Sequence, residues 1–273
     1  MKPQLLSLLF LTTSTLPGQV WVEPPARPVP HAAVFGGENA SFTLVVETRK
    51  PGPVLLSYSL FQLGGTGDGL GAPLEVGKPL GEPLDLGAEN SRVVTVEVPI
   101  PAVLRPTTMA VKFLSSAGPD QNSGLNQTIL KVFPRPRPGE WAGALAAAEK
   151  NAGRNLAVFG KSRGVRRFLE AQKIAFRDLG DEYPADFSGP LLIVGEVSSE
   201  SLEKHRPKVA GGRKIFFVED TMRLPGIYET VAPTGSLTKV TLPIPDRLAA
   251  DPQIQIDFVD LLRRQLNPTS HEN

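Results

Sequence analysis

"GPLLIVGEVSSESLEKHRPKVAGGRKIFFVED", residues 189–220, holds two apolar runs on either side of a polar segment. The runs 189–196 and 213–219 have the length and apolar content of strands that are buried on both faces. The segment between them, 198–212, begins with serines that can cap a helix and ends in two glycines that can close one. Because adjacent parallel strands need a crossover connection, usually a helix, the stretch predicts a parallel α/β sheet.

The same alternation of strand and helix extends over residues 141–268. We predict helices at 141–153, 163–173 and 251–266, strands at 155–160 and 174–179, and a candidate fifth strand at 238–245. The last helix has Pro252 in its first turn and apolar residues repeating every three or four positions. The predicted fold class of 141–268 is therefore an α/β doubly wound parallel sheet.

Residues 20–134 follow another pattern, with most of the 27 prolines preceding residue 140. Short β-branched runs are separated by turn residues, and no stretch has a helical period. The predicted strands are 40–48, 52–63, 91–101, 107–116 and 126–134. This pattern predicts an antiparallel β-sandwich of immunoglobulin-like size. The Pro-Arg segment 135–140 is predicted to be an extended linker, with a ligand for a Pro-binding module as the alternative.

One stretch resembles a known family. "LLIVGE…SLEKHRPKVAGGRKIFFVED" is similar to class I glutamine-amidotransferase-like domains, in the style of copies found in large bacterial proteins with glycoside-hydrolase modules. The stretches "GEPLDLGAENSRVVTVEVPIP" and "NQTILKVFP" resemble the β-sandwich modules beside such domains. The resemblance implies a flavodoxin/amidotransferase-like fold for 141–268, following a sandwich module.

The residue inventory departs from that family. An active amidotransferase of this class places a cysteine at a strand-to-helix elbow, with a histidine and an acid downstream. The chain has no cysteine, and its three histidines are His31, His205 and His271. We therefore expect a catalytically empty domain, with no disulfide, no metal site and no cofactor.

The overall charge is close to balanced. Lys and Arg number 29 and Asp and Glu number 28, which gives a net charge of +1 in 273 residues. Such a balance creates no field that would attract nucleic acid, so no nucleic-acid partner is expected.

The N-terminus has the features of a secretory signal. One Lys precedes the apolar run Leu5–Leu11, and small polar residues follow. This matches a signal peptide over 1–18, whereas a spanning helix needs about 20 apolar residues. We predict export to the periplasm or the extracellular space, no membrane span in the mature chain, and a short tail at 269–273. An apolar N-terminal strand is the alternative.

Ligand-binding candidates are the polar residues that follow predicted strands, because ligands of open α/β sheets bind beyond the carboxyl ends of the strands. The candidates are Lys161, Ser162, Glu196, Ser198, Glu219 and Asp220. Each has a simpler explanation. A phosphate loop at Lys161 would need a glycine where Asn155 stands, the serines can cap helices, and loop acids are usually solvated.

These observations favour an exported, non-catalytic interaction or scaffold protein that binds a protein or polysaccharide partner in the cell envelope. The lack of cysteine and the few, badly placed histidines favour a protein without enzymatic activity. The alternatives are a carboxylate-dependent glycoside hydrolase, or an accessory subunit of one, and a sensor of a small anion at Lys161.

Overall fold

The computed structural model describes residues 20–22, 32–47, 52–63, 71–86, 91–116, 122–160, 163–181, 191–205, 212–218, 226–232, 235–242 and 244–267. The described residues are rich in β-structure, with several sheets and a few helices. The chain divides into two compact units, Met1–Pro134 and Arg135–Asn273. We call them the two-sheet unit and the α/β unit.

The two-sheet unit is built from strands alone in its described part. They are β1 (Val20–Val22), β2 (Ala32–Phe35), β3 (Asn39–Glu47), β4 (Pro53–Gln62), β5 (Pro73–Pro79), β6 (Leu84–Asp85), β7 (Ser91–Pro99), β8 (Thr107–Ser116) and β9 (Asn122–Phe133). One sheet has the order β1-β3-β7, and the other has the order β2-β9-β8-β4-β5 with β6 paired to β4.

The two sheets share one apolar core. Along β3 the buried residues Phe42, Leu44 and Val46 alternate with more exposed ones, as a strand with one solvent-facing side requires. They belong to the same core cluster as Leu56 of β4 and Phe113 of β8. The rings of Phe42 and Phe113 meet edge to face, with centroids 5.0 Å apart.

The prediction of an entirely antiparallel arrangement is wrong at one strand pair. β2 runs parallel to β9, with Ala32 opposite Leu130 and Phe35 opposite Phe133. All other paired strands of this unit are antiparallel in the described residues. The whole chain between β2 and β9 serves as the crossover connection that a parallel pair needs.

The α/β unit contains six strands and five helices in its described residues. The strands are β10 (Asn155–Phe159), β11 (Arg177–Asp178), β12 (Leu191–Val197), β13 (Gly212–Val218), β14 (Ile227–Ala232) and β15 (Gly235–Val240). The helices are α1 (Glu140–Ala152), α2 (Arg163–Ala171), α3 (Ser199–His205), α4 (Ile244–Arg247) and α5 (Pro252–Leu266).

The six strands form one sheet in the order β11-β10-β12-β13-β15-β14. Four neighbouring pairs are parallel, namely β11–β10, β10–β12, β12–β13 and β13–β15, whereas β15 and β14 are antiparallel. Two predicted strands need correction. The strand predicted at 238–245 is β15, which ends at Val240 before α4 begins, and the strand predicted at 174–179 is reduced to Arg177–Asp178.

Helices lie on both faces of this sheet. On one face, Leu156 and Val158 of β10 share a core with residues of α1, α2, α4 and α5. On the other face, Ala157 and Phe159 share a core with Leu202 of α3. The strands are consequently buried on both sides, which explains their unbroken apolar runs.

The described residues contain no helix that is long and apolar enough to cross a membrane.

Candidate functional site

The carboxyl edge of the α/β sheet is where the sequence placed all six candidate residues. Glu196 is half-buried near the end of β12, and Ser198 is exposed just before α3. The Ser198 hydroxyl accepts a hydrogen bond from the backbone N–H of Ser201 at 3.1 Å, so it caps the helix. Lys161, Ser162, Glu219 and Asp220 lie outside the described residues.

An ion pair occupies the end of this edge next to β11. Arg166 of α2 holds Asp178 of β11 in a two-pronged contact, with Nη2–Oδ1 at 2.8 Å and Nε–Oδ2 at 3.1 Å. The remaining nitrogen, Nη1, donates to the carbonyl of Gly160. Asp178 also accepts from the backbone N–H of Gly180 at 2.9 Å, and the Gly160 N–H donates to the Gly180 carbonyl at 2.8 Å.

The ion pair sets the protonation of its acid. Hydrogen bonds from Arg166 first, and from the Gly180 backbone second, hold the pKa of Asp178 below its usual value. The contacts of these two charged side chains connect α2, β11 and the loop after β10. This corner is a structural tie between elements, and its guanidinium is already neutralised by a carboxylate.

The neighbouring strand ends approach each other closely. A Cβ added at Gly195 would lie 2.6 Å from the carbonyl oxygen of Phe159, and one added at Gly160 would lie 3.0 Å from that of Glu196. Backbone atoms therefore fill the space between the ends of β10 and β12. This packing explains why glycine follows the apolar run in both strands.

A groove of about 700 Å³ lies along one side of the two-sheet unit, between the edge strands β5 and β7. We call it the edge groove. Its lining combines charged, polar and apolar groups: Tyr58, Glu75, Lys78, Pro79, Leu80, Gly81, Thr95, Val96, Glu97 and Pro99.

The course of β5 brings its charged residues to the edge groove. Lys78 lies opposite Tyr58 and Glu75 lies opposite Leu60, with a register shift between these two pairs. Gly77 adopts a left-handed φ of 61° at the shift, and its N–H donates to the Ser59 hydroxyl at 3.0 Å. The bulge turns Glu75 and Lys78 to the same side of β5 as Tyr58, since paired residues share a face.

Tyr58 and Glu75, which both line the edge groove, form a partly buried hydrogen bond. The Tyr58 side chain is 4% exposed, and its hydroxyl donates to Oε2 of Glu75. Burial, followed by the hydrogen bond to Glu75 and its charge, raises the pKa of Tyr58 to about 12. Tyr58 therefore stays protonated at physiological pH and fixes the position of the Glu75 carboxylate.

A second carboxylate lines the edge groove from β7. Glu97 is exposed and accepts a hydrogen bond from Nδ2 of Asn39 at 3.0 Å. The edge groove thus offers two oriented carboxylates and the ammonium of Lys78 beside apolar surface from Val96 and Leu80. Such a combination suits a ligand with many hydroxyl groups and apolar C–H faces.

The described residues contain no group of three or more His, Cys, Asp or Glu side chains that could hold a metal ion.

The sequence did not point to the edge groove. Glu75 and Glu97 belong to strands of different sheets, and neither stands in a motif. Tyr58 is one of three tyrosines in the chain and lies within the strand predicted at 52–63. The sequence signal that was available is Glu75, a charged residue in a short segment rich in Pro and Gly. That segment was not among the predicted strands.

Comparison with known proteins identifies no family. No model of a known protein family matches the sequence, and no curated protein matches it.

Several solved structures match part of the chain. An alkylpurine DNA glycosylase from Pseudomonas fluorescens is 20% identical over 37% of this chain and 27% of its own, with a TM-score of 0.27. A lytic polysaccharide monooxygenase from Streptomyces lividans is 13% identical over 38% and 59%, with a TM-score of 0.25. A Niemann-Pick type C2 protein from Japanese carpenter ant is 8% identical over 44% and 96%, with a TM-score of 0.28.

The chain spans about a quarter of the first of these proteins and less than two thirds of the second.

Proposed function

We propose that this chain is an exported, non-catalytic interaction protein whose two-sheet unit binds polysaccharide in the edge groove. In this proposal the two-sheet unit is an immunoglobulin-like β-sandwich. The α/β unit is an amidotransferase-like domain that has lost its catalytic groups and serves as a scaffold in the cell envelope.

The observation that carries the proposal is the edge groove. Its carboxylates, Glu75 and Glu97, are each oriented by a hydrogen bond from a neighbouring side chain, Tyr58 and Asn39. Carboxylates held in this way can accept paired hydrogen bonds from adjacent sugar hydroxyls, while the Lys78 ammonium can donate to ring or hydroxyl oxygens.

The absence of cysteine supports a non-catalytic α/β unit. The Arg166–Asp178 tie also supports it, because these charges hold the edge of the sheet together and are not presented to a ligand. Both observations are consistent with an α/β unit that acts on no substrate.

A carboxylate-dependent glycoside hydrolase, or an accessory subunit of one, remains the second candidate. Glu75 and Glu97 favour it, because glycoside hydrolysis uses two carboxylates that flank one bond. In that case one carboxyl would act as the acid and the other as the nucleophile or base.

Affinity electrophoresis of the purified chain in gels containing soluble polysaccharides tests the proposal. We expect retardation by at least one neutral polysaccharide, and a loss of about tenfold in affinity for Glu97→Gln and for Lys78→Met, each of which removes a charge-assisted hydrogen bond. Glu47→Gln, at an exposed position of β3, is the matched control and should bind like the wild type.

Two results would contradict the proposal that the chain binds polysaccharide and does not hydrolyse it. Release of reducing sugar by the wild type, lost in both Glu75→Gln and Glu97→Gln, would establish the hydrolase. No retardation by any polysaccharide in a broad panel would refute the edge groove as a sugar site. Fractionation of cells expressing the full chain tests export separately.

A further inference from the structure

Glu75 lies half-buried in the edge groove, on the side that faces the core of the two-sheet unit. It belongs to β5, the last strand of its sheet, and lies opposite Leu60, which is fully buried in that core. Paired residues share a face, so the carboxylate points inwards from the open end of the sheet. Part of the water that would solvate its charge is consequently excluded.

Tyr58 gives Glu75 a neutral hydrogen-bond partner. The Tyr58 hydroxyl donates to Oε2 of Glu75. Tyr58 is itself buried in the core, so this donor fixes the direction of the carboxylate. A carboxylate can accept about four hydrogen bonds, and a hydroxyl brings no positive charge. Glu75 is therefore oriented, and it can still accept further hydrogen bonds from a ligand.

No cationic side chain forms an ion pair with Glu75 among the residues that the structure describes. Lys78 lines the same groove, but its side chain is exposed and pairs with neither Glu75 nor Glu97 in that part of the chain. Charges shielded from water are usually paired with an opposite charge, because an unpaired one is costly. A cationic group on a ligand would therefore gain free energy from contact with Glu75.

Glu97 differs from Glu75 in its exposure to solvent. It lies on β7, where its neighbours Val96 and Val98 pack in the core, so its own side chain faces outwards. Water screens the charge of an exposed carboxylate, so such a group discriminates weakly between a charged and a neutral ligand even where it accepts a hydrogen bond. A preference for a charged ligand should therefore depend on Glu75 much more than on Glu97.

The charged groups of the edge groove also disfavour an acidic ligand. Two acids, Glu75 and Glu97, against one base, Lys78, give the lining a formal charge of −1. An anionic sugar could contact Lys78, but it would also approach two carboxylates of like charge. The groove therefore favours a cationic sugar over a neutral one, and a neutral sugar over an acidic one.

We propose that the sugar bound in the edge groove carries a protonated amine that contacts Glu75. This inference rests on the proposed function and adds the substrate class of the same groove, a polysaccharide with free amino groups such as a polymer of glucosamine. The ammonium donates charge-assisted hydrogen bonds to the Glu75 carboxylate. The C–H faces of the sugar ring lie on Val96 and Leu80, which also line the groove.

Isothermal titration calorimetry with the full chain tests this preference. The ligands are a glucosamine oligosaccharide and an N-acetylglucosamine oligosaccharide of the same length, at about pH 5.5, where amines are protonated and carboxylates are ionised. N-acetylation converts the amine into a neutral amide and leaves the rest of the ring unchanged. We expect the wild type to bind the glucosamine oligosaccharide at least about tenfold more tightly, because one charge-assisted hydrogen bond is gained. Raised salt should reduce this preference.

Three variants separate the role of Glu75 from general electrostatics. Glu75→Gln keeps an acceptor for Tyr58 but removes the charge, so the two oligosaccharides should bind about equally. Glu97→Gln should weaken the binding of both by a similar factor and keep the preference. Lys78→Met removes a charge that repels the ligand amine, so the preference should increase. Glu47→Gln, at an exposed position of β3, is the matched control, and circular dichroism of each variant must match that of the wild type.

Four outcomes would overturn this inference and leave the proposed function standing. They are equal affinity of the wild type for both oligosaccharides, an unchanged preference in Glu75→Gln, tighter binding of a glucuronic acid oligosaccharide, and retardation by a neutral polysaccharide without binding of the glucosamine oligosaccharide. Binding of trilysine as tight as that of the glucosamine oligosaccharide would assign the cationic group to a peptide and overturn the inference as well. No binding of any polysaccharide would refute the proposed function together with this inference.

Discussion

Lys214 provides a direct test of how burial affects the stability of the α/β unit. It lies in the central strand β13, is 0% exposed, and has Ile193 and Leu237 as its neighbours on adjacent strands. Burial lowers the pKa of the Lys214 amine from 10.5 to about 8. The cause of this lower pKa is that the charged form of the amine loses its hydration when the side chain is buried.

The expected effect of Lys214→Met follows from that difference. A fall from 10.5 to about 8 corresponds to roughly 3 kcal/mol at neutral pH, where the wild type must bury a charged amine. Methionine keeps an unbranched side chain of similar length without the charge. We therefore expect Lys214→Met to raise the free energy of unfolding at pH 7 by up to about 3 kcal/mol.

The difference in stability between the wild type and Lys214→Met should depend on pH. Between about pH 8 and 10.5 the unfolded wild type binds a proton at Lys214 that the folded protein has released. The unfolding free energy of the wild type therefore rises with pH through this window, and that of the variant lacks this contribution. The advantage of the variant should be largest near pH 7 and should shrink towards pH 10.5.

Urea unfolding followed by tryptophan fluorescence measures both quantities. Trp141 in α1 packs against Phe168, with ring centroids 5.7 Å apart, so its emission reports on the α/β unit. Trp21 is replaced by Phe in both proteins to remove the other tryptophan. A Met variant that is less stable at pH 7, or an advantage that does not change with pH, would refute the reasoning.

Three further predictions concern local packing and ionisation. Gly164→Ala should lower stability by about 2 kcal/mol or more, because its Cβ would lie 2.1 Å from a backbone carbonyl oxygen at α4. Gly143→Ala, an exposed helical position with no atom within 4 Å of the added Cβ, should instead raise stability by about 0.5–1 kcal/mol, and urea unfolding of both variants checks this contrast. Arg166→Ala should cost about 1 kcal/mol at pH 7. Because the folded pKa of Asp178 lies below its usual value of 3.8, the part of that cost that comes from the ion pair should be lost as the pH falls through the titration of Asp178, while the contact with the Gly160 carbonyl persists, and equal costs at pH 7 and pH 2 would contradict it. Absorbance titration should show one tyrosine ionising at about pH 12, absent from Tyr58→Phe, and between pH 10 and 12 stability should fall more steeply in the wild type than in this variant.

Much of the α/β unit could be predicted from the sequence. Strands such as β12 and β13 are buried on both faces, so their apolar runs are continuous and distinct from the polar segments around them. β14 escaped prediction because it is short and follows Pro225 and Gly226, so its surroundings have the composition of a loop. An edge strand such as β14 is less buried than a central strand, so its sequence shows a weaker pattern of apolar residues.

The edge groove could not be predicted, for a different reason. Glu75 reaches the groove through the bulge at Gly77, and the register shift that creates it depends on pairing with β4. The partner carboxylate, Glu97, comes from another sheet. Likewise, Arg166 and Asp178 meet only because β11 pairs with β10 beside the start of α2. Contacts of this kind follow from tertiary structure and leave no local pattern.

The position of β9 has a consequence for biosynthesis. β9 is the last strand of the two-sheet unit, yet it lies inside its sheet, between β2 and β8. During translation β2 is the first strand of this sheet to emerge, and it has no neighbour in the sheet until β9 has left the ribosome. β2 therefore stays unpaired for most of the synthesis of this unit, and one side of β8 stays unpaired until β9 follows, so both can pair with other chains before the sheet is complete.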